Sequence, residues 1–322
     1  MFVEKISSIN SGILNELFIR YYQTVTKSYV TSSHWEKYGS LTTVEKSGDR
    51  FIINGVGFGH FVRPRSLRHL KHFLPSVLSR RLLSRFGVSK EIKAAGYDIA
   101  RREERLLIFD EAKQIIICDI LNRYDILKQA TIIVVIGDGY GFMTCLLKLV
   151  APKAKIICVN LGKMLLFDLL YASKVFSEKM FLLQNKDDYS EVLEQYSMIF
   201  VEAEKYEMLL GKNVDVFINI ASMQEMSPDV IKTYFDIIRS NTGKRYFYSC
   251  NREEKILPNG TVVRFNEYPW DLNKDEIIFD ELCAFYQKYP VSVPPFWLPF
   301  DGPMKHRLVK MCKLFVNSFE KE

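Results

Sequence analysis

The sequence predicts an α/β fold, a doubly wound and mostly parallel sheet with a helical module ahead of it. Three observations carry that prediction. Five short apolar runs recur through the chain: TIIVVIG (131–137), KIICVNL (155–161), MIFVEA (198–203), VDVFINIA (214–221) and RYFYSC (245–250). Helix-like segments separate most of them. The first run ends in a glycine cluster, IGDGYG (136–141). Strands that are apolar at every position suit a sheet covered on both faces, and strands alternating with helices pair in parallel.

The N-terminal module is taken as residues 1–128 and the sheet domain as residues 129–322. Within the module, the stretch from Ile13 to Tyr22 is a candidate helix, and SSHWEKYGS reads as a loop. The run FIINGVGFGH carries glycines at 55, 57 and 59, which permit a tight turn. A helix is expected from Ser66, with Leu67, Leu70, Leu74, Val77 and Leu78 at helical spacing and Pro75 as a kink or restart. Another is expected over 104–128, where Leu107, Ala112, Ile115, Ile116 and Ile120 share one side. In the sheet domain, Phe142 to Val150 and 163–177 follow the first two strands as helices. Ser227 and Pro228 open a helix that Gly243 closes, and 179–197 reads as an insertion.

Hydrophobic residues at 48% and charged residues at 25% are ordinary globular values. No run approaches the roughly 18–20 apolar residues of a membrane span. The start, MFVEKISSIN, lacks a basic leader followed by an apolar segment, so a cytoplasmic location is expected. The six cysteines are scattered without a CxxC pair, which reads as reduced core thiols and predicts no metal site. The net charge of +6 is uneven. From His60 to Arg105 there are twelve Lys or Arg against four Asp or Glu, an excess of eight. That basic stretch is either a solvated helical face or a positive field for a phosphorylated, nucleotide-linked or lipid-linked partner.

The glycine cluster carries the chemistry. In a doubly wound sheet, ligands bind beyond the carboxyl ends of the strands, where the strand order reverses. Glycines are needed there because a ligand lies against the main chain. A dinucleotide site wants GxGxxG, with a pyrophosphate at the helix N-terminus. Here the spacing is GxGxG, Gly137-Asp138-Gly139-Tyr140-Gly141, and Phe142 stands where a third dinucleotide glycine would be. This arrangement resembles the first motif of class I methyltransferases, whose fold is Rossmann-like and whose cofactor is S-adenosylmethionine. Asn160, 21 residues after Gly139, takes the place of the acid expected on the cofactor ribose. Glu202 and Glu204, after the third strand, are candidates for the adenine or its ribose, or solvated carboxylates.

After the fourth strand the chain reads Asn219-Ile220-Ala221-Ser222-Met223-Gln224-Glu225-Met226, then a helix with Tyr234 and Phe235, then a strand YFYS leading to Asn251. Together with IGDGYG, this resembles the sugar O-methyltransferase family over about residues 130–255. Val135 and Asn160 depart from it, each standing where the family has an acid. The resemblance implies methylation of a sugar hydroxyl of a surface-glycan precursor, with Ser222 and Gln224 joining the cofactor-binding set. It makes Glu225 the leading general base, with a role in shaping the pocket as the alternative; His60 and His306 are further candidates for the base. No metal is expected. In the tail PPFWLPFDGP (294–303), Phe296 and Trp297, with Tyr268 and Trp270 nearby, either stack on a sugar or pack over the sheet. The competing readings are a methyltransferase for nucleic acid or another small molecule, and a non-catalytic protein of the same fold. The basic stretch lacks a recognisable nucleic-acid module, so no stable nucleic-acid partner is expected.

Overall fold

The computed structural model describes residues 2–5, 8–23, 43–54 and 70–313. Expectations for SSHWEKYGS, for Gly55, Gly57, Gly59 and His60, and for the start of the helix at Ser66 lie outside the described residues. A small antiparallel sheet is formed by β1 (Phe2–Lys5), β2 (Thr43–Ser47) and β3 (Arg50–Asn54), with β3 in the middle. Helix α1 (Ser11–Phe18) runs into a π-helical turn, Ile19–Gln23. Then come α2 (Leu70–Arg85), with Pro75 inside it, α3 (Lys90–Arg102), α4 (Phe109–Arg123) and the single turn α5 (Ile126–Gln129).

The remaining chain builds the main sheet. Strands β4 (Ile132–Ile136), β5 (Lys155–Asn160), β6 (Phe181–Leu182), β7 (Met198–Glu202), β8 (Val216–Ile220) and β9 (Tyr246–Arg252) are parallel. They are linked by α6 (Phe142–Val150), α7 (Gly162–Val175), α8 (Tyr189–Gln195) and α9 (Pro228–Ser240). Two small hairpins, β10 (Glu254–Ile256) with β11 (Val262–Arg264) and β13 (Lys288–Pro290) with β14 (Trp297–Pro299), flank the long antiparallel strands β12 (Glu276–Leu282) and β15 (Met304–Lys310). The order across the eight strands is β12-β15-β9-β8-β4-β5-β7-β6. The stretch 179–197 is thus part of the sheet: it supplies the edge strand β6 and helix α8.

The predicted mostly parallel sheet with helices on both faces is present, with a physical reason visible in the packing, whereas residues 1–128, expected to be helical, also carry the three-stranded antiparallel sheet. Every residue of β4 and β7 is buried. Along β4, Ile133 and Val135 enter one core while Ile132, Val134 and Ile136 enter the other. The first core is shared with Leu14, Leu83, Ile92, Ile115, Ile116, Leu146 and Leu169, so helices of residues 1–128 and helices α6 and α7 cover the same face. Helix α9 covers the opposite face through Ile231, Phe235 and Ile238. Tyr268 and Trp270 belong to this second side. Trp270 meets Phe235 edge-on at 4.8 Å and stacks on Phe247 at 5.7 Å, with the Arg307 guanidinium 4.5 Å over its ring. These aromatics pack on the sheet.

Among the described residues no helix is long and apolar enough to cross a membrane, and no group of His, Cys, Asp and Glu could hold a metal. Five of the six free cysteines are buried, and Cys312 is half-buried.

Candidate functional site

The chain goes from β4 to β5 and β7 on one side and returns to β8 and β9 on the other, so the strand order reverses at β4. Register brings the ends of these strands level. Ile136 lies opposite Val159 and Asn219, and Asn160 lies opposite Glu202. The Gly137–Gly141 loop, Asn160, Glu202 and the Ser222–Glu225 turn therefore share one rim, as the sequence pattern requires of a single site.

Gly137, Gly139 and Gly141 all adopt left-handed backbone, at φ 72°, 88° and 76°, a conformation that costs other residues roughly 1–2 kcal/mol. Two of them are also demanded by the protein itself. A Cβ on Gly137 would fall 2.2 Å from Ser222 Oγ, and one on Gly141 would fall 2.7 Å from the Asp168 carbonyl oxygen. The loop is thus clamped between the β8 turn and helix α7. Asp138 turns its carboxylate inward and accepts from Met143 N (3.1 Å) and Thr144 N (2.6 Å), capping α6. Burial holds the Asp138 carboxyl above the usual range.

Asn160 is 8% exposed and its amide is already engaged: Nδ2 donates to Asp168 (2.7 Å), and Oδ1 accepts from Leu161 N (2.9 Å). Asp168 lies wholly inside, where burial first and the nearby Asp138 second push its carboxyl well up. The Tyr140 ring of the loop lies 5.8 Å from that of Phe167, the neighbour of Asp168 on α7, at a tilt.

Glu202 is 1% exposed yet ionised. Burial alone would raise its pKa, but Lys205, Tyr21 and Arg20 hydrogen-bond it and hold it below the usual range. Glu204 is exposed, and partial burial followed by the Glu202 charge raises it.

The turn after β8 is fixed by a connected polar network. Asn219 Nδ2 donates to the Ile136 carbonyl (2.9 Å) and to Ser222 Oγ (2.6 Å), and Asn219 Oδ1 accepts from Met223 N (3.2 Å). Gln224 N donates to Asn251 Oδ1 (3.1 Å), while Gln224 Oε1 accepts from Arg252 N (2.8 Å). Ala221 holds φ 56°, a left-handed position rare without glycine, which folds Ser222 back against Gly137. The asparagine-serine pattern thus builds and stiffens the rim.

Beyond the turn, half-buried Glu225 faces Lys255. Burial and then Arg252 lower the Lys255 ammonium, and Glu225 and Asp301 act in the other direction. Arg252 pairs with Asp301 at 2.9 Å, and its guanidinium sits 5.3 Å over the Phe300 ring. Sequence reasoning did not single out Arg252, Lys255, Asp301 or Asp168. The signal for Asp168 was available: one acid inside LLFDLLY.

His306 lies on antiparallel β15 opposite Cys250, which pairs in turn with Ile220 of β8. It is 3% exposed, with Nδ1 3.0 Å from the Tyr248 hydroxyl and Nε2 3.4 Å from Glu281. Burial lowers its pKa, against the pull of Glu281. It lines a cleft of about 470 Å³ walled by Ile116, Ile120, Phe279 and Phe285, whose lining does not include Glu225.

No protein-family model and no curated protein matches the sequence. Solved structures that match the chain include a Thermoplasma acidophilum protein, at TM-score 0.40 and 9% identity over 69% of this chain and 98% of that one. Others are the mitomycin 7-O-methyltransferase (TM-score 0.37, 10% identity, 82% of this chain and 78% of that one) and human N-acetylserotonin methyltransferase in complex with S-adenosylmethionine (TM-score 0.28, 12% identity, 68% and 62%). At scores this low the likenesses say nothing of this chain's activity, which has to be read from its own rim.

Proposed function

We propose that this chain is a cytoplasmic S-adenosylmethionine-dependent O-methyltransferase acting on a sugar hydroxyl of a surface-glycan precursor. One observation carries the reading: three left-handed glycines turn the main chain at the strand where the sheet order reverses, level with the buried carboxylate of Glu202. The residues present fit a ribose-bearing cofactor, because Glu202 already accepts a hydroxyl, that of Tyr21. When bound, S-adenosylmethionine supplies a methyl group activated by its sulfonium.

The chain's residues do the rest. The bare main chain at Gly139 leaves room for the ligand, while Ser222 and Gln224, fixed by Asn219 and Asn251, hold the loop and the acceptor turn in register. Glu225 takes the proton from the acceptor hydroxyl as its oxygen attacks, a contribution of roughly 10²- to 10⁴-fold for a positioned base. Alignment of the attacking oxygen is the larger task, and it falls to the walls of the pocket. Charge beside the turn suits a polar acceptor such as a sugar: Arg252 lies over the Phe300 ring and pairs with Asp301, and Lys255 interacts with Arg252, Glu225 and Asp301. The two cations also suit a phosphate or nucleotide on that sugar. Residues 1–128 act as the cap and 129–322 as the cofactor-binding domain.

The test is calorimetry with S-adenosylmethionine, followed by methyl transfer to sugar nucleotides and polysaccharide extracts. Glu225→Gln should bind the cofactor as the parent does and lose at least about 100-fold in turnover. Unchanged turnover removes Glu225 as the base, and absence of cofactor binding overturns the whole reading.

A further inference from the structure

Gly162 is glycine for a reason unconnected with backbone torsion. A Cβ there would lie 1.9 Å from Tyr21 Cζ and 2.3 Å from its hydroxyl oxygen. The Tyr21 ring therefore rests flat on bare main chain, two residues beyond the end of β5, while its hydroxyl donates to Glu202 at the end of β7. The neighbours hold the same place. Arg20 pairs with Glu202, and the Tyr22 hydroxyl donates to the Lys163 carbonyl at 3.1 Å. The Tyr22 ring lies 6.4 Å from Phe167, the ring that also meets Tyr140 of the glycine loop. A flat ring over glycine with a hydroxyl on a buried carboxylate is the chemistry a nucleoside would bring to this rim.

We propose that Tyr21 is an internal stand-in for the nucleoside half of the cofactor, and that helix α1 with its turn at 19–23 is a gate that must release Glu202 before the cofactor is held. This inference rests on the cofactor reading above. Two hydroxyl donors compete for one carboxylate, and the tethered one has the advantage of high effective concentration. Apparent affinity is therefore reduced by the fraction of molecules in which the gate is shut. Lys205, which lies outside the gate, also pairs with Glu202, so the carboxylate remains an acceptor for the cofactor hydroxyl when Tyr21 and Arg20 leave it.

The experiment is calorimetry of S-adenosylmethionine with the parent chain, Tyr21→Phe and Tyr21→Ala, together with hydrogen exchange across residues 11–23. Tyr21→Ala should bind roughly ten- to a hundredfold more tightly, in line with loss of a hydrogen bond to a charged group. Tyr21→Phe, which keeps the ring on Gly162, should fall between. Exchange across 11–23 in the parent should rise when the cofactor is added. Unchanged or weaker binding in both variants, or exchange that falls, overturns the gate while leaving the cofactor reading intact. Failure of all three proteins to bind overturns the cofactor reading, and the gate falls with it.

Discussion

Asn251 Nδ2 donates to Asn219 Oδ1 at 2.9 Å, tying the end of one parallel strand to the end of the next directly beneath the proposed acceptor turn. Each of these side chains is wholly buried and makes further bonds, Asn251 to Ser249 (2.9 Å) and Asn219 to the Ile136 carbonyl (2.9 Å). A satisfied network of this kind gives rigidity, and a half-emptied one is costly.

Asn219→Leu should therefore destabilise the fold by about 1–3 kcal/mol for each polar group left without a partner. Urea denaturation measures this, and a midpoint equal to the parent's would remove the network from any structural role.

Gly137 and Ser222 should be coupled. Gly137→Ala combines left-handed strain of about 1–3 kcal/mol with a contact that Ser222 Oγ forbids. In a Ser222→Gly background the same change should cost the strain alone, about 1–3 kcal/mol. A double-mutant cycle reads the difference, and additive effects would refute the coupling.

Burial pushes the Glu111 carboxyl up to about 8, against the Ile108 N–H at 2.9 Å and the charge of Arg105, which pull it down. A carboxyl raised in the folded state binds a proton there that the unfolded chain releases. The stability linked to it is full below the ordinary value of 4.5 and is lost as pH rises towards 8. Glu111→Gln should flatten that slope and be the more stable protein at pH 8. Denaturation midpoints at pH 5 and 8 decide it; parallel pH profiles would place the carboxyl outside the linkage.

Lys113 is 1% exposed, and its ammonium lies 3.4 Å from the Tyr286 ring centre, 4.5 Å from Phe109 and 2.5 Å from Asp110. Only the lysine of this pair is buried, Asp110 being mostly exposed, so an apolar side chain of similar length removes a buried charge without stranding another in the interior. Lys113→Met should thus keep or raise the melting temperature, while Lys113→Ala, which leaves a cavity, should lower it by several degrees. A large loss in the methionine variant would mean that the charge itself holds this corner.

The parallel strands were legible because each is buried on both faces and so reads as unbroken apolar residues. Helix α3 was not, because Gly96 sits in its middle and looks like a break. In the fold that glycine is a contact, since a Cβ there would fall 2.3 Å from Ile115 Cδ1. Ser89, which caps the helix, and Ile92 and Ile99 at helical spacing were the signals to weigh against it. Strands β12 and β15 were missed for different reasons. β12 is an edge strand with mostly exposed residues, and MKHRLVK hides His306 and Arg307 in the interior, where Tyr248 and Asp280 compensate them. At the site, the loop, Asn160 and Glu202 were placed by strand register. Tyr21 was beyond reach, because it meets Glu202 across 181 residues of sequence.

Strand β15 is inserted between β9 and β12, pairing Met304–Lys310 with Arg252–Tyr246. During synthesis, a nascent chain that has already assembled β4 to β9 still presents β9 with an open, hydrogen-bonding edge. That edge stays available to foreign strands until residue 310 has left the ribosome, which makes this an interval in which the polypeptide is exposed to aggregation.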